Sequence, residues 1–212
     1  MTTRDTILEA ALERFARFGY LGTSIQQIAD AVGTSKSSVL YHFDSKESLL
    51  EAAMAPALDA LESLLQQVPT SEQHHAFSRD DLVSLITVFV DLLQAHARAV
   101  TIFVSQRGAL LDVPVIGRAN ALVNRMAEVL IAEASATPEV MRLSIGLAGA
   151  AFLIGEAERD DVPEFDRELK RRVLIDTIVD LCPPLPAEHD PAATVAAHTA
   201  GAASATTDRK DA

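Results

Sequence analysis

The sequence predicts an all-α protein, with a three-helix head at the N-terminus, a helical body after it, and about nine helices in total. Apolar residues recur every three to four positions along most of the 212-residue chain. No alternating apolar and polar run bounded by hairpin turns interrupts this pattern. Hydrophobic residues make up 49% of the chain, yet aromatics make up only 5% and tryptophan is absent. The core must therefore consist mainly of Leu, Ile, Val and Ala, a composition that suits helices.

Residues 22–50 contain two short helical patterns separated by a glycine turn. The apolar stripe of the first helix consists of Ile25, Ile28, Ala29 and Val32. Gly33 follows where this helix must end, because glycine readily adopts the left-handed conformation of a tight exit. The second helix then opens with small hydroxyl residues around Lys36. This arrangement predicts a helix-turn-helix, whose second helix enters the major groove of DNA.

Capping residues mark the helix starts in this region. Either of two pairs can form a capping box at the start of the first helix: Thr23 with Gln26, or Ser24 with Gln27. Asp44 stands three residues before Glu47 and is expected to cap a third helix, which follows the second helix of the helix-turn-helix. Lys46 then lies in the first turn of that helix, where its ammonium group is well placed for a phosphate.

The run VGTSKSSVLYHFDSKESL at residues 32–49 resembles the signature of the tetracycline-repressor (TetR) family. The upstream pattern F-x-x-x-G-Y-x-G-T-S at residues 15–24 fits the same family. The strong motif lies within residues 1–50, and the remainder is similar only in helix count and layout. The chain departs from the family at Leu40, where tyrosine is common, and Tyr41 follows it. The resemblance implies a DNA-binding head, a ligand-sensing body and a homodimer.

The predicted DNA contacts lie at the start of the second helix and beside it. Residues at that start should meet base edges and nearby phosphates, and Tyr41 should reach a phosphate or a thymine methyl group. Residues that flank the groove should contact only the DNA backbone. Leu40 is expected to pack away from the DNA. The complete predicted set is Thr23, Ser24, Thr34, Ser35, Lys36, Ser37, Ser38, Tyr41, His42 and Lys46.

The charge distribution is asymmetric along the chain, whose formal net charge is −12. Residues 1–50 carry five Lys/Arg and six Asp/Glu, whereas residues 51–212 carry 13 and 24. Acidic residues are therefore concentrated away from the head, as a DNA-binding protein requires. Because the head itself is close to neutral, helix N-termini, hydroxyl groups and a few cations would have to supply the phosphate contacts.

Residues 51–182 are predicted to form the body and to hold a dimer interface. Residues 143–155 are apolar on nearly every side, and a helix of that kind must be wholly buried. This helix carries a smooth strip of small residues, and apolar residues of the last helix are left uncovered. Together these two features predict a two-fold interface formed by helices 138–159 and 163–181. The residues assigned to it are Gly146, Gly149, Ala150, Ile175 and Ile178.

The resemblance also implies a cavity among the helices of residues 51–159 for a small, largely apolar ligand. A few polar residues on otherwise apolar helices could orient such a molecule. The predicted lining is Phe89, Leu93, Phe103, Gln106, Asn124, Met141, Ile145 and Phe152. Binding is expected to release DNA by changing the spacing of the two heads through the helix of residues 45–66. Pro56 inside that helix predicts either a tolerated kink or a hinge.

Motifs of catalysis and targeting are not found. The chain has no G-x-S-x-G elbow, no phosphate-binding glycine loop and no H-E-x-x-H, so we predict no enzyme, cofactor or metal site. The pair His74 and His75 is expected in a solvated loop. A single cysteine, Cys182, fits a reducing cytoplasm, and no run of about eighteen apolar residues predicts a membrane helix. Residues 183–212 are expected to be disordered.

These features predict a homodimeric regulator that binds a palindromic operator in double-stranded DNA, most often as a repressor in this family. Three other classes remain open from the sequence. The chain could be a helical small-molecule-binding protein without DNA-binding activity, a helical enzyme with an unrecognised site, or an interaction scaffold.

Overall fold

The computed structural model describes residues 2–67, 79–134, 138–156 and 166–182. The predicted all-α class is confirmed, because these residues form nine α-helices, one 3-10 turn at Arg107–Ala109, and no strand. The helices are α1 (Thr3–Phe18), α2 (Ile25–Ala31), α3 (Lys36–His42), α4 (Lys46–Gln67), α5 (Arg79–Ala95), α6 (Ala97–Gln106), α7 (Pro114–Ala134), α8 (Pro138–Glu156) and α9 (Arg167–Leu181). The predicted loop with His74 and His75 and the predicted disordered tail at 183–212 lie outside the described residues.

No single helix among these is long and apolar enough to cross a membrane. Only α5 and α6 together reach the required length and composition, and they are bent by 86° at the break between them.

The caps of α1 and α2 follow from short polar side chains. Thr2 and Asp5 form a capping box, in which the Thr2 N–H donates to the Asp5 carboxylate at 2.8 Å. Ser24 and Gln27 form the second box, with the Ser24 N–H donating to Gln27 Oε1 at 2.7 Å. Of the two pairs that the sequence left open, Ser24 with Gln27 is the one that forms.

Glycines with positive φ end both helices, and the sequence placed the stop of α2 at Gly33. Gly19 ends α1 with φ of 81°, and Gly33 follows α2 with φ of 67°. A side chain at Gly33 would meet no atom within 4 Å, so its backbone conformation, rather than space, favours glycine there.

The cap of α4 differs from the prediction. Ser45 and Ser48 exchange hydrogen bonds of 3.0 and 3.1 Å between backbone N–H groups and side-chain oxygens. Asp44 was expected in this role, but it stands one residue too early, since the first helical residue is Lys46. The helix is 22 residues long and runs through Pro56 without interruption.

A hydrophobic core, here called the head-side core, joins the head to part of the body. Its large, fully buried side chains come from α1 to α4 and also from α6 and α7. They include Ile7, Phe15, Ile28, Leu50, Ile102 and Ile116. The apolar packing therefore crosses the predicted boundary at residue 50 without a break.

A second core, here called the far core, lies among the end of α4, α5, α8 and α9. It includes Leu64, Ile86, Val90, Leu147, Ala150 and Ile178. Outside both cores, Arg118 of α7 pairs with Asp59 and Glu62 of α4, and Arg171 of α9 pairs with Asp91 of α5. These pairs are partly exposed and hold neighbouring helices in register rather than adding much stability.

The predicted dimer strip is largely used inside the chain. A Cβ at Gly146 would lie 3.1 Å from side-chain atoms of Ile178, so the glycine lets α8 and α9 approach closely. Ala150 and Ile178 are also buried, and Ile175 is half-buried. These four residues differ from the prediction because α9 packs against α5 and α8 of its own chain. Only Gly149 of the predicted set is exposed.

The opposite side of α8 is apolar and exposed. Its residues are Met141, Ile145, Gly149, Phe152 and Leu153, here called the outer face of α8. Because large apolar side chains recur there at helical spacing, this face has the pattern of a surface that becomes buried on association.

Gly33 and Gly117 provide a matched test of the backbone argument. Gly33→Ala should lower the free energy of unfolding by about 1–2 kcal/mol, because alanine is strained at positive φ. Gly117→Ala, at an exposed position in the first turn of α7 with open space for a Cβ, should raise it by about 0.5–1 kcal/mol. Urea denaturation followed by circular dichroism measures both values, and a loss in both variants would contradict the assignment.

Candidate nucleic-acid interface

One face of α3 is buried in the head and the other is open to solvent. Val39 and Phe43 lie in the head-side core, which fixes the rotation of this short helix. The exposed side consists of Lys36, Ser37, Leu40 and Tyr41, here called the reading face. Its tip is formed by Tyr41, whose side chain is 86% exposed.

Leu40 does not pack inward as expected. It is 37% exposed and lies one turn after Lys36 on the reading face. In a helix of seven residues only positions three to four apart share a side, and Val39 and Phe43 already occupy the buried one. The reading face therefore carries an aliphatic side chain between polar ones.

The start of α3 is organised by Ser35. Its hydroxyl oxygen accepts from the Ser38 N–H at 3.1 Å, and Ser38 is half-buried beside the reading face. The Thr34 N–H donates to the Ala29 carbonyl at 2.9 Å, which fixes the turn between α2 and α3. The structure thus brings the predicted residues from 34 to 38 together, with Ser35, Lys36 and Ser37 exposed.

Thr23 and Ser24, neighbours in the sequence, have different surroundings. Ser24 is exposed at the start of α2. Thr23 is only 3% exposed, and its hydroxyl donates to the Gly19 carbonyl at 2.8 Å or to that of Arg14 at 3.2 Å. Thr23 therefore differs from the prediction, because the end of α1 uses the hydroxyl that was assigned to a phosphate.

Lys46 is held against an aromatic ring. Its Nζ lies 4.1 Å from the ring centroid of Tyr20, close enough for a cation–π interaction. Partial burial lowers the pKa of Lys46, and the neighbouring Glu47 carboxylate acts in the opposite direction. The Tyr20 ring thus holds the Lys46 ammonium group at a defined place on the head.

Tyr20 itself is almost fully buried. Burial, with a contribution from the nearby Glu47 carboxylate, raises the pKa of its hydroxyl to about 12. The hydroxyl has no hydrogen-bond partner of good geometry, although Glu47 is close enough to influence its titration. Tyr20 therefore acts as a neutral aromatic support at neutral pH.

Arg4 was not counted among the predicted contacts, yet the structure gives it a defined location. Its guanidinium lies 5.0 Å from the ring centroid of Phe43, next to the end of α3. The half-buried His42 has its ring 5.4 Å from that of Tyr41 and 6.4 Å from that of Phe43. The other head arginines, Arg14 and Arg17, lie over Phe18 at the opposite end of α1. Three cations, namely Arg4, Lys36 and Lys46, are thus found on or near α3, although the head as a whole is close to neutral.

The eight residues predicted to line a ligand cavity are dispersed. Phe89 and Leu93 are buried in the far core, and Phe103 packs against the head-side core. Both polar ends of the Gln106 amide bind the head. The exposed members are Asn124, Met141, Ile145 and Phe152. In the part of the chain that the structure describes, the predicted lining residues thus lie in different environments.

The described residues hold no group of three His, Cys, Asp or Glu side chains that could bind a metal ion. Cys182 is buried, and burial raises the pKa of its thiol, with Arg142 and Arg79 acting in the opposite direction.

Comparison with known proteins links the head to bacterial regulators. The family model "Bacterial regulatory proteins, tetR family" matches residues 7–53. RutR of Escherichia coli K12, named as an HTH-type transcriptional regulator, is 46% identical over 56 residues, 26% of each chain. IcaR of Staphylococcus aureus Newman, named as an HTH-type negative transcriptional regulator of a biofilm operon, is 31% identical over 96 residues, 45% of this chain and 50% of IcaR. The chain thus spans about a quarter to a half of these curated relatives in the matched regions.

Solved structures extend the similarity to the body at the level of the fold. A TetR-family regulator from Bordetella parapertussis 12822 has a TM-score of 0.62 and 21% identity, over 85% of this chain and 94% of that one. SCO3833 from Streptomyces coelicolor A3, of the same family, has a TM-score of 0.63 and 24% identity, over 88% and 94%. At such low identity the likeness establishes the fold alone.

Proposed function

We propose that this chain, whose residues 7–53 match the family model of the tetR bacterial regulatory proteins, is a transcriptional repressor that binds a two-fold symmetric DNA operator. Residues 1–50 would recognise the DNA, and residues 51–182 would dimerise and sense a ligand. IcaR is named as a negative transcriptional regulator, and its similarity to this chain supports repression rather than activation. Chromosomal DNA as the partner implies the bacterial cytoplasm as the compartment.

The observation that carries the proposal is the reading face of α3. Val39 and Phe43 anchor the helix, so that Lys36, Ser37, Leu40 and Tyr41 are presented outward together. A cation and a hydroxyl can bond base edges or phosphates, while an aliphatic and an aromatic side chain can contact thymine methyl groups. This mixed face suits a major groove better than a general anionic surface.

Dimerisation would supply the second half of the operator contact. The outer face of α8 supports it, since Met141, Ile145 and Phe152 are each more than half exposed in the single chain. On α9, Leu169 and Val173 are exposed as well. A two-fold partner presenting the same helices would bury these side chains, as closed symmetric dimers do.

Ligand control remains a proposal about the body as a whole. The ligand would have to prefer one spacing of the two heads over another, because only differential affinity shifts such an equilibrium. The alternative is that the chain is a helical small-molecule-binding protein without DNA-binding activity. A gel-shift assay with DNA flanking the coding region of this protein separates the two, because only the repressor retards that DNA at physiological salt.

Lys36 and Lys46 should contribute to DNA binding in different ways. Lys46→Ala should weaken binding to all sequences alike and reduce the salt dependence by about 0.9 of slope per contact and per head. Lys36→Ala should cost about 1–3 kcal/mol per half-site and relax preference at one symmetric base pair, because Lys36 lies on the reading face. Salt titrations of operator and scrambled DNA measure both effects. An equal loss on both DNAs for the two variants would contradict this division.

Leu40 should read a thymine methyl group. Replacing that thymine by deoxyuridine removes one methyl, which should weaken wild-type binding about fourfold, given ~0.8 kcal/mol per buried methyl-sized group. Leu40→Ala should bind both DNAs equally, since the contacting side chain is gone. If Tyr41→Ala, rather than Leu40→Ala, abolishes the difference in a fluorescence-anisotropy titration, the methyl contact belongs to Tyr41.

Gly149→Glu should yield a folded monomer. A side chain at Gly149 meets nothing within 4 Å in the single chain, so the charge disturbs only the proposed interface. An unpaired buried charge there should raise the dimer dissociation constant at least about a hundredfold. Gly117→Glu is the matched control, a helical glycine in open space on α7. Sedimentation velocity at micromolar concentration distinguishes the outcomes, and a Gly149→Glu dimer as stable as the control would rule out this face.

A further inference from the structure

One side chain of the body makes two directional contacts with the head. Gln106 is the last residue of α6, and its Oε1 accepts from the Tyr20 N–H at 2.6 Å. Its Nε2 donates to the Phe15 carbonyl at 2.8 Å. The amide therefore spans the end of α1 and the turn that follows it, here called the Gln106 clasp.

Both head groups in the clasp need an outside partner. The Phe15 carbonyl lies in the last turn of α1, where carbonyls lose their partners within the helix. The Tyr20 N–H follows Gly19, whose positive φ directs the chain away from the path of α1. Because Phe15 and Tyr20 are buried, leaving these groups unpaired would be costly. The body thus completes the end of a head helix.

The residue gripped by the clasp also supports a proposed DNA contact. The Tyr20 ring packs against Phe15, with 5.2 Å between ring centroids. The same ring lies under the Lys46 ammonium group at 4.1 Å. The Tyr20 carbonyl accepts from the Thr23 N–H at 3.2 Å, just before α2 begins. A displacement of Gln106 therefore acts on Tyr20, and through it on Lys46 and on the start of the helix-turn-helix.

The remaining connections between head and body restrain orientation less strictly. The helix α4 connects the head to the body as one continuous rod, which restrains rotation about its own axis less than a second point of attachment does. The apolar contacts of α1 with Ile102 and Phe103 of α6 are non-directional and tolerate sliding. Two short hydrogen bonds at a second point define an angle, because hydrogen bonds depend on direction as well as distance.

We propose that Gln106 is a positioning residue that fixes the orientation of the head on the body through Tyr20. A movement of the end of α6 then reaches Lys46 through Gln106 and Tyr20, in parallel with the lever of α4. The part of this inference that concerns DNA rests on the proposed function, whereas the orientation of the head does not.

The orientation is measured without DNA. Spin labels at Glu9→Cys on α1 and Arg172→Cys on α9, both exposed positions, report the distance from head to body by pulsed electron resonance. A Cys182→Ser background prevents labelling of the native cysteine. An excess of unlabelled protein suppresses distances between labels on two different chains. Gln106→Leu keeps the approximate size of the side chain and removes both hydrogen bonds. Gln106→Glu keeps the acceptor for Tyr20 and loses the donor to Phe15, and it serves if the leucine variant does not fold.

Thr23→Val is the control within the head. Its hydroxyl caps the same end of α1 through the Gly19 carbonyl but makes no bond to the body. We expect one narrow distance distribution for the wild type and for Thr23→Val. The Gln106 variants should give a broadened or displaced distribution, more so for leucine than for glutamate. Unchanged distributions in both Gln106 variants would overturn the proposal.

The functional arm compares a full two-half-site operator with an isolated half-site, using a duplex that the wild type recovers from a random pool. If each free head keeps the competent orientation about a third of the time, Gln106→Leu weakens the full site about tenfold and leaves the half-site nearly unchanged. Thr23→Val, as local damage, should weaken the half-site by some factor and the full site by about the square of that factor, because two damaged heads bind the full site. If the loss of Gln106→Leu on the full site is likewise only the square of its loss on the half-site, the residue has a structural role alone and the positioning role is overturned. If the wild type recovers no duplex, the proposed function fails, and the distance measurement still decides on the clasp.

Discussion

The rest of the structure depends on the burial of one face of α1 between the helices α2 and α3 and the body. Ile7, Ala11 and Phe15 are fully buried, and they belong to the same core as Val39 of α3 and Ile102 of α6. Helices of seven residues such as α2 and α3 are far below the length at which isolated helices persist in water. They hold their shape because each large buried side chain contributes about 1.5–3 kcal/mol of burial against this face. The geometry of the reading face is therefore set by packing on its opposite side.

Local patterns were sufficient for the helices of the head and for the turn between α2 and α3. The stripe of α2 and the stops at Gly19 and Gly33 follow from periodicity and backbone freedom, which neighbours in the chain determine. Prediction was less successful where two adjacent residues compete for one role. Thr23 against Ser24 and Asp44 against Ser45 differ by a single position, and only the actual start of the helix decides between them. Leu40 was assigned inward by its chemistry, although the rotation of α3 left it outside.

The body was predictable in class and helix order but not in its partners. A helix apolar on nearly every side, such as α8, must be covered, but its pattern does not say which side meets its own chain. Gly146 proved to serve α9, whereas Met141, Ile145 and Phe152, expected around a ligand, form the outer face. Gln106 was likewise read as a ligand contact, because a polar residue on an apolar helix is ambiguous. Its partners lie 86 and 91 positions away, beyond any local pattern.

The continuity of the head-side core restricts how such a protein can be recombined. A head cut at residue 50 would leave Ile7, Phe15 and Leu50 without the body side chains that cover them, and would lose the amide that completes α1. Exchanging heads between relatives, in evolution or in the construction of hybrid sensors, thus carries a compatibility condition. A grafted head must find an amide at the end of α6 and matching apolar volume on α6 and α7. On the proposed function, specificity for DNA would be encoded in a few exposed residues, whereas portability depends on buried residues away from that surface.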